Sequence, residues 1–380
     1  RFRPGIIVHT AEVTVFTSVE LTKLYAQDHA LYICNRLTPS NKLSIEYGLR
    51  LSIFQNVGPG TVKIYEDPTD NIRPTVTDTQ SYDNLENIVT YTNLEPRFTA
   101  RYLLNDRSSV KVSYNRMVQN VHLISSGTVP LPFNTWNPSS PYLKPQIADQ
   151  VAAGYFRNFK ENLYEFSVEG FYKYMQNVTD FADNANIFFN EDIATEFRQG
   201  TSEAYGVELQ LKKTKGAFTG FVNYTWSKVE RNIPGVNLGR TFFSNFDRRH
   251  AFNFVGAYTL SDRWLFNASF TYSSGRPITL PTGRYEVQDF RPVYISERNG
   301  YKLPAYNRAD VSAVLTPRKN DGRRIQTKWV FGLYNIYNRK NAFTVFPRQV
   351  EIDGVVQDEQ EFVMVYLFPI VPSVTFNLSF

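Results

Sequence analysis

The stretch Leu43-Ser44-Ile45-Glu46-Tyr47-Gly48-Leu49-Arg50-Leu51-Ser52-Ile53 decides the fold. Leu43, Ile45, Tyr47, Leu49, Leu51 and Ile53 are apolar, and each residue between them is polar, charged or glycine. Successive side chains of a strand point to opposite faces, so this segment reads as a strand with one greasy and one wet face.

The same period of two returns along the chain. Leu94, Pro96, Phe98, Ala100 and Tyr102 alternate with Glu95, Arg97, Thr99 and Arg101. Val110, Val112 and Tyr114 alternate with Lys111, Ser113 and Asn115, and Tyr164, Phe166 and Val168 with Glu165, Ser167 and Glu169. Tyr205, Val207, Leu209 and Leu211 alternate with Gly206, Glu208, Gln210 and Lys212. Charges on the second face of so many strands need water there; the core of a β-sandwich has none, whereas a wide lumen does.

Composition agrees. The 380 residues include Phe 30, Tyr 24 and Trp 4, and aromatic residues favour strands and form girdles at the interfaces of membrane barrels. A mean hydropathy of −0.35 suits a soluble protein, but a barrel shows lipid only every second residue, so this average does not exclude one. No window approaches the roughly 20 consecutive apolar residues of a transmembrane helix, so any membrane span is a strand. The net charge of +5 is scattered rather than blocked, which argues against a nucleic-acid partner.

Connections alternate in length as regularly as side chains alternate in polarity. Short turns are expected at Pro39 to Lys42, Asn105 to Ser108, Asn158 to Asn162, Lys213 to Gly216, Leu260 to Arg263 and around Lys319 to Arg323. Long polar segments lie between them, at Val57 to Thr90, Asn120 to Gln146, Val178 to Glu196, Glu230 to Asp247, Gly275 to Ala305 and Asn341 to Gln360. Outer-membrane barrels sort their connections in this way, with short turns in the periplasm and long loops outside.

Glu361 to Phe380 reads as a single last strand, because Phe362, Met364, Tyr366, Phe368, Ile370, Pro372, Val374, Phe376, Leu378 and Phe380 keep one apolar face through both prolines. Residues 1–380 then form the C-terminal part of a barrel, with roughly thirteen strands, the first near Gln27 to Thr38. Such barrels have an even strand count and both ends in the periplasm, so further strands are expected upstream. Arg1 follows no signal-peptide pattern either.

At this point the residues resemble a family. Trp329-Val-Phe-Gly-Leu-Tyr-Asn-Ile-Tyr-Asn-Arg-Lys-Asn341 is similar to the penultimate strand of TonB-dependent outer-membrane receptors, and Leu367 to Phe380 resembles their last strand with its terminal aromatic residue. Lys144 to Tyr155, Gly200 to Glu208 and Asn245-Phe-Asp-Arg-Arg-His250 resemble inner segments of such barrels. The resemblance implies an all-β transmembrane antiparallel barrel of about twenty-two strands with a plugged lumen, in the outer membrane of a Gram-negative cell. It implies a receptor that binds a ligand at its extracellular loops and imports it when TonB pulls on a plug. Neither a plug domain nor a TonB-box peptide is visible in this chain. The implied partners are outer-membrane lipid and lipopolysaccharide, TonB through an N-terminal segment, and a ligand the residues do not identify. A passive porin-like channel and a scaffold barrel that serves outer-membrane lipoproteins are the other readings.

No catalytic residue, cofactor site or metal site is expected. His9, His29, His122 and His250 are dispersed, and no nucleophile elbow or zinc motif occurs. His250, after Asp247-Arg248-Arg249, fits the top of a strand in an ion-paired rim. Cys34, the single cysteine, reads as a small apolar strand residue. The loop containing Asp180, Asp183, Asn184, Asn186, Asn190, Glu191 and Asp192 gathers oxygen ligands of the kind Ca²⁺ takes, without EF-hand spacing; a solvated acidic loop is the default. Leu131 to Trp136, and Phe242 and Phe243 beside Arg240, offer either ligand contacts or loop-on-loop packing. Arg50, Arg97, Arg101 and Lys111 either line a passage, touch a plug or sit in ion pairs along the wall, and spacing does not choose among these.

Overall fold

The computed structural model describes residues 6–7, 19–20, 23–66, 75–124, 135–183, 185, 193–280, 283–284, 293–294, 297–318, 324–352 and 355–380. Among these, thirteen long strands follow one another in a single antiparallel sheet: β1 (Tyr25–Ser40), β2 (Leu43–Val57), β3 (Asn87–Asn105), β4 (Ser108–Gln119), β5 (Gln146–Phe159), β6 (Tyr164–Phe181), β7 (Phe197–Lys213), β8 (Phe218–Asn232), β9 (His250–Thr259), β10 (Trp264–Ser273), β11 (Tyr306–Leu315), β12 (Gln326–Tyr334) and β13 (Val371–Ser379). Each pairs with its neighbour in sequence, and the two-residue strand Phe242–Phe243 adds to β8. Among the described residues no helix is long and apolar enough to cross a membrane.

The register places the two faces as the alternation requires. Leu49 stands between Ile33 and Pro96, and Leu51 between Leu31 and Leu94, so one side of β1–β3 is apolar across strands. Leu49, Leu94, Val112, Val151, Val207, Leu209 and Phe331 all lie on that side, exposed by 38% to 50%; a surface so apolar belongs in hydrocarbon. The opposite face is knit by polar contacts: Arg50 Nε lies 3.3 Å from Glu95 Oε1, Lys212 Nζ 3.1 Å from Glu165 Oε2, and Asn267 donates to Ser312 at 3.2 Å. This is a transmembrane β-barrel wall.

Aromatic residues gather at both ends of the greasy face. Near the short turns Trp264 stacks on Phe266 at 5.9 Å, and Trp329 meets Phe376 at 4.8 Å. Towards the long loops Tyr205 meets Trp226 at 6.0 Å, and the Tyr224 hydroxyl lies 2.8 Å from His250 Nδ1. Between Phe218 and Trp226 the chain climbs eight residues, about 26 Å along a strand at about 3.3 Å per residue. With strands tilted by about 40°, that is a vertical span of about 20 Å, close to the apolar band of such barrels. Beyond the outer aromatics the greasy face turns polar: Asp149 accepts from Arg116 at 2.8 Å and 2.9 Å and from the Tyr114 hydroxyl at 2.7 Å. That charged cluster suits headgroups rather than acyl chains.

The end of the chain differs from the expectation of one long strand over Glu361 to Phe380. Residues Ala342–Ile352 and Val355–Tyr366 form a hairpin of their own, the chain breaks at 367–370, and only Val371–Ser379 joins β12. The corner has a physical cause. Pro369 has no backbone N–H to offer a ladder, and Phe368 takes a left-handed φ of 55°. Asn335, 1% exposed, donates to the Phe368 carbonyl at 3.2 Å, while the Ile370 N–H donates to Asn338 Oδ1 at 3.1 Å. The Asn-Ile-Tyr-Asn motif after β12 is therefore the clamp that turns the chain into β13.

Candidate functional site

The candidate site is the loop end of the wet face, where ordered segments from four connections meet. Asp180, at the top of β6, anchors it. Its Oδ1 accepts from Arg298 at 2.7 Å and its Oδ2 from Arg231 at 3.2 Å. Arg298 also donates to the Phe181 carbonyl at 2.9 Å, and its backbone N–H donates to Asn237 Oδ1 at 2.9 Å. Asn299 Nδ2 donates to the Phe243 carbonyl at 2.8 Å, and the Leu238 N–H donates to Asp183 Oδ2 at 3.4 Å. One carboxylate thus ties together the ends of three loops. A buried charge has to be paired in this way, and here the pairing locks the loops to one another.

Small apolar cores sit under this network. Ile233, Val236 and Phe242 bury one another, and Leu143 packs with Phe181 beneath Ile193 and Phe197. Phe242 is therefore loop-on-loop packing. Phe243 is different: its ring centre lies 5.0 Å from Lys302 Nζ, 5.3 Å from the Arg249 guanidinium carbon and 6.0 Å from Lys228 Nζ. Cations gather over the negative face of the ring. Arg240 donates its backbone N–H to the Asn237 carbonyl at 3.0 Å, in the turn that precedes the phenylalanines.

Asp180 is engaged by two arginines, and Asp183 accepts a backbone N–H; the remaining residues of the acidic loop, Asn184, Asn186, Asn190, Glu191 and Asp192, lie outside the described residues. No group of three or more metal-ligating side chains occurs among the described residues. Leu131 to Asn134 and His9 also lie outside them, while Trp136 is exposed on a hairpin opposite Leu123.

The other histidines remain apart. His29 is on β1 near Gln27, and His250 tops β9 beside the Asp247–Arg249 ion pair. His122, 4% exposed, sits on the hairpin after β4 with its Nε2 3.1 Å from the Ser139 hydroxyl. Burial pushes its pKa down to about 4, so it is neutral at ordinary pH. Cys34 is on a strand but on the wet face, exposed, with its thiol 4.0 Å from Glu46 Oε1.

The four wall cations divide. Arg50 and Arg97 both reach Glu95, at 3.3 Å and 3.8 Å. Arg101 and Lys111 face each other across β3 and β4, both exposed. Higher on the same face are residues the sequence did not single out. Arg308 donates to the Tyr306 hydroxyl at 3.1 Å, the Tyr334 hydroxyl at 2.7 Å and Asp310 at 3.0 Å. Arg248 donates to the Ser273 hydroxyl at 2.7 Å, and Arg276 to the Phe343 carbonyl at 3.0 Å. Tyr334, Ser273 and Phe343 lie 26, 25 and 67 residues from the arginines they meet, so no local spacing marks those contacts. The arrangement offers a wet, arginine- and tyrosine-rich mouth beneath loop ends that ion pairs and hydrogen bonds join, suited to holding a polar solute.

A family model described as TonB dependent receptor-like, beta-barrel, matches residues 11–338. No curated protein sequence matches the chain. Among solved structures, the siderophore receptor PiuA from Acinetobacter baumannii superposes with a TM-score of 0.59 at 13% identity, covering 93% of this chain and 43% of that one. The ferric-catecholate import receptor Fiu from E. coli K12, in its closed form, gives 0.56 at 13% identity, covering 93% and 44%. The FrpB iron transporter from Neisseria meningitidis gives 0.55 at 14% identity, covering 94% and 46%. The chain thus spans less than half the length of these structures, and the likeness is one of fold. Taken with the two-faced strands and sorted loops, the match over residues 11–338 means that this chain belongs to the TonB-dependent receptor-like β-barrel family of the outer membrane.

Proposed function

We propose that the chain forms the C-terminal wall and outer mouth of a receptor that captures a ligand at its extracellular loops and imports it through the lumen under the pull of TonB. The observation that carries this reading is the mouth itself. Asp180, Arg231 and Arg298 join the described loop ends, and the wall below presents arginine and tyrosine side chains to water. Loop ends already joined support capture because less ordering is left to be done when a ligand binds. Outer-membrane lipid covers the apolar face in this reading, with lipopolysaccharide phosphates beside the outer cations. Catalysis has no part in it, since the family is one of receptors and transporters.

The experiment is uptake with and without the proton gradient. Deleting the gene should remove high-affinity uptake of one class of scarce solute, and a protonophore should abolish that uptake in the parent strain. Uptake that persists with the protonophore would make the barrel a passive channel. Deletion without any uptake defect would favour a scaffold that serves partner proteins.

A further inference from the structure

The greasy face is not evenly filled. Across β8 to β13 a groove of about 620 Å³ opens on it, within the range of about 300–1,000 Å³ of pockets that hold small molecules, and its lining is almost wholly apolar. Small residues make its floor: Gly256 pairs with Ala268, and Ala313 lies opposite both Phe266 and Phe331. The rings of Phe218, Phe254, Phe266 and Phe331 make its walls. A Cβ on Gly256 would stand 2.8 Å from Phe254 Cζ and 3.0 Å from Phe218 Cε2, so the glycine lets the two rings lean in without a clash.

The groove begins at the short-turn end. Phe218 opens β8, and Tyr258 and Phe266 follow it across the next two strands in register. That end also carries cations on the greasy face. Lys213 Nζ lies 5.7 Å from the Phe218 ring centre, Lys160 Nζ 6.0 Å from that of Tyr164, and the Arg157 guanidinium carbon 4.9 Å from that of Phe159. Register joins them into one row, because Phe159 stands opposite Tyr164 and Tyr164 opposite Lys213. None of the three has a carboxylate partner among the described residues, whereas Lys212, the wet-face neighbour of Lys213, is paired with Glu165.

Cations at the edge of a hydrocarbon layer reach the headgroup plane along apolar surface, and anionic headgroups attract them there. The short turns mark this plane as the periplasmic one. We propose that Arg157, Lys160, Lys213 and the groove that begins at Phe218 form a binding site for an anionic glycerophospholipid of the periplasmic leaflet, with its phosphate at the cations and an acyl chain along the floor of Gly256, Ala268 and Ala313. Charge and shape select together. A zwitterionic lipid fills the groove but brings a cation of its own to the row, and a free phosphate has nothing to lay along the floor. The site rests on the membrane wall and is independent of import.

Two tryptophans report on the groove, since Trp264 stacks on Phe266 at 5.9 Å and Trp329 lies 6.5 Å from Phe331. The full-length protein, purified from outer membranes in mild detergent, is titrated with phosphatidylglycerol or phosphatidylcholine whose brominated acyl chains quench indole fluorescence on contact. Phosphatidylglycerol should quench at a lipid-to-detergent ratio at least about tenfold lower than phosphatidylcholine. R157Q/K160Q/K213Q should abolish that preference, and A268F, which raises the floor, should reduce quenching by both lipids. K302Q, beside Phe243 at the loop end, should leave the preference unchanged. The proposal is overturned if the two lipids quench the parent alike, if the triple variant keeps the preference, if A268F is quenched as the parent is, or if K302Q loses as much as the triple variant. Displacement by lipopolysaccharide at lower ratios than by unlabelled phosphatidylglycerol also overturns it, by giving the groove to the outer leaflet. Heat-modifiable migration on gels checks that each variant is folded.

Discussion

At the scale of single residues, two side chains do more than their exposure suggests. His122 is neutral in the folded protein because burial holds its pKa at about 4, against about 6.5 when exposed. Between those values the unfolded hairpin binds more protons than the folded one, so folding stability rises with pH across the window. Lowering the pH from 7 to about 4 is therefore expected to loosen the Val121–Ile124 hairpin, by up to about 3 kcal/mol. Hydrogen exchange of that hairpin at the two pH values reads this out, and His122→Gln should flatten the dependence. The second residue is Asn335, whose side chain bonds both the N–H and the carbonyl of Arg339 and also the Phe368 carbonyl. Asn335→Ala strands buried polar groups and is expected to cost about 1–3 kcal/mol. The loss should appear as faster exchange at Phe368 to Val371, while the β5–β8 region stays protected.

At the scale of elements, the sequence was legible wherever a strand had to satisfy two solvents. Leu43 to Ile53 and Tyr205 to Lys212 declare their faces because hydrocarbon and water impose opposite demands on neighbouring residues, and the register honours that. The last segment misled for the same reason. Phe362 to Phe380 keep a period of two, yet the corner at Phe368 breaks the strand, and periodicity is silent about direction. Cys34 misled in a smaller way, since its neighbours leave its face unstated until the pairing with Gly48 sets it. The loop rim was not legible at all. Asp180 and Arg298 are 118 residues apart, and nothing local joins them. Asp180→Asn leaves Arg231 and Arg298 without their anion, and losing one partner of a buried pair costs about 3–5 kcal/mol. The expected result is rapid protease cleavage near Arg298, with the heat-modifiable barrel intact; unchanged cleavage would show that the rim holds without it.

At the scale of the whole molecule, the membrane assignment rests on the two faces of the sheet. Spin labels at Leu49 and Arg50, one residue apart, should report lipid-soluble oxygen at the first and a water-soluble relaxation agent at the second. Equal environments at both would remove the barrel from the membrane. The candidate site was partly legible at this scale: the long loops marked the end that holds it, but which arginines line the mouth depended on connections between distant strands.

The spacing of the aromatic belts carries a consequence for the surrounding bilayer. A vertical reach of about 20 Å is shorter than the roughly 30 Å hydrocarbon thickness of an average membrane, so the lipids must thin around the wall. Insertion should accordingly run faster into vesicles of short-chain phosphatidylcholine than into long-chain ones, and the bacterial outer membrane, thinner than most, is the compartment in which this mismatch is smallest.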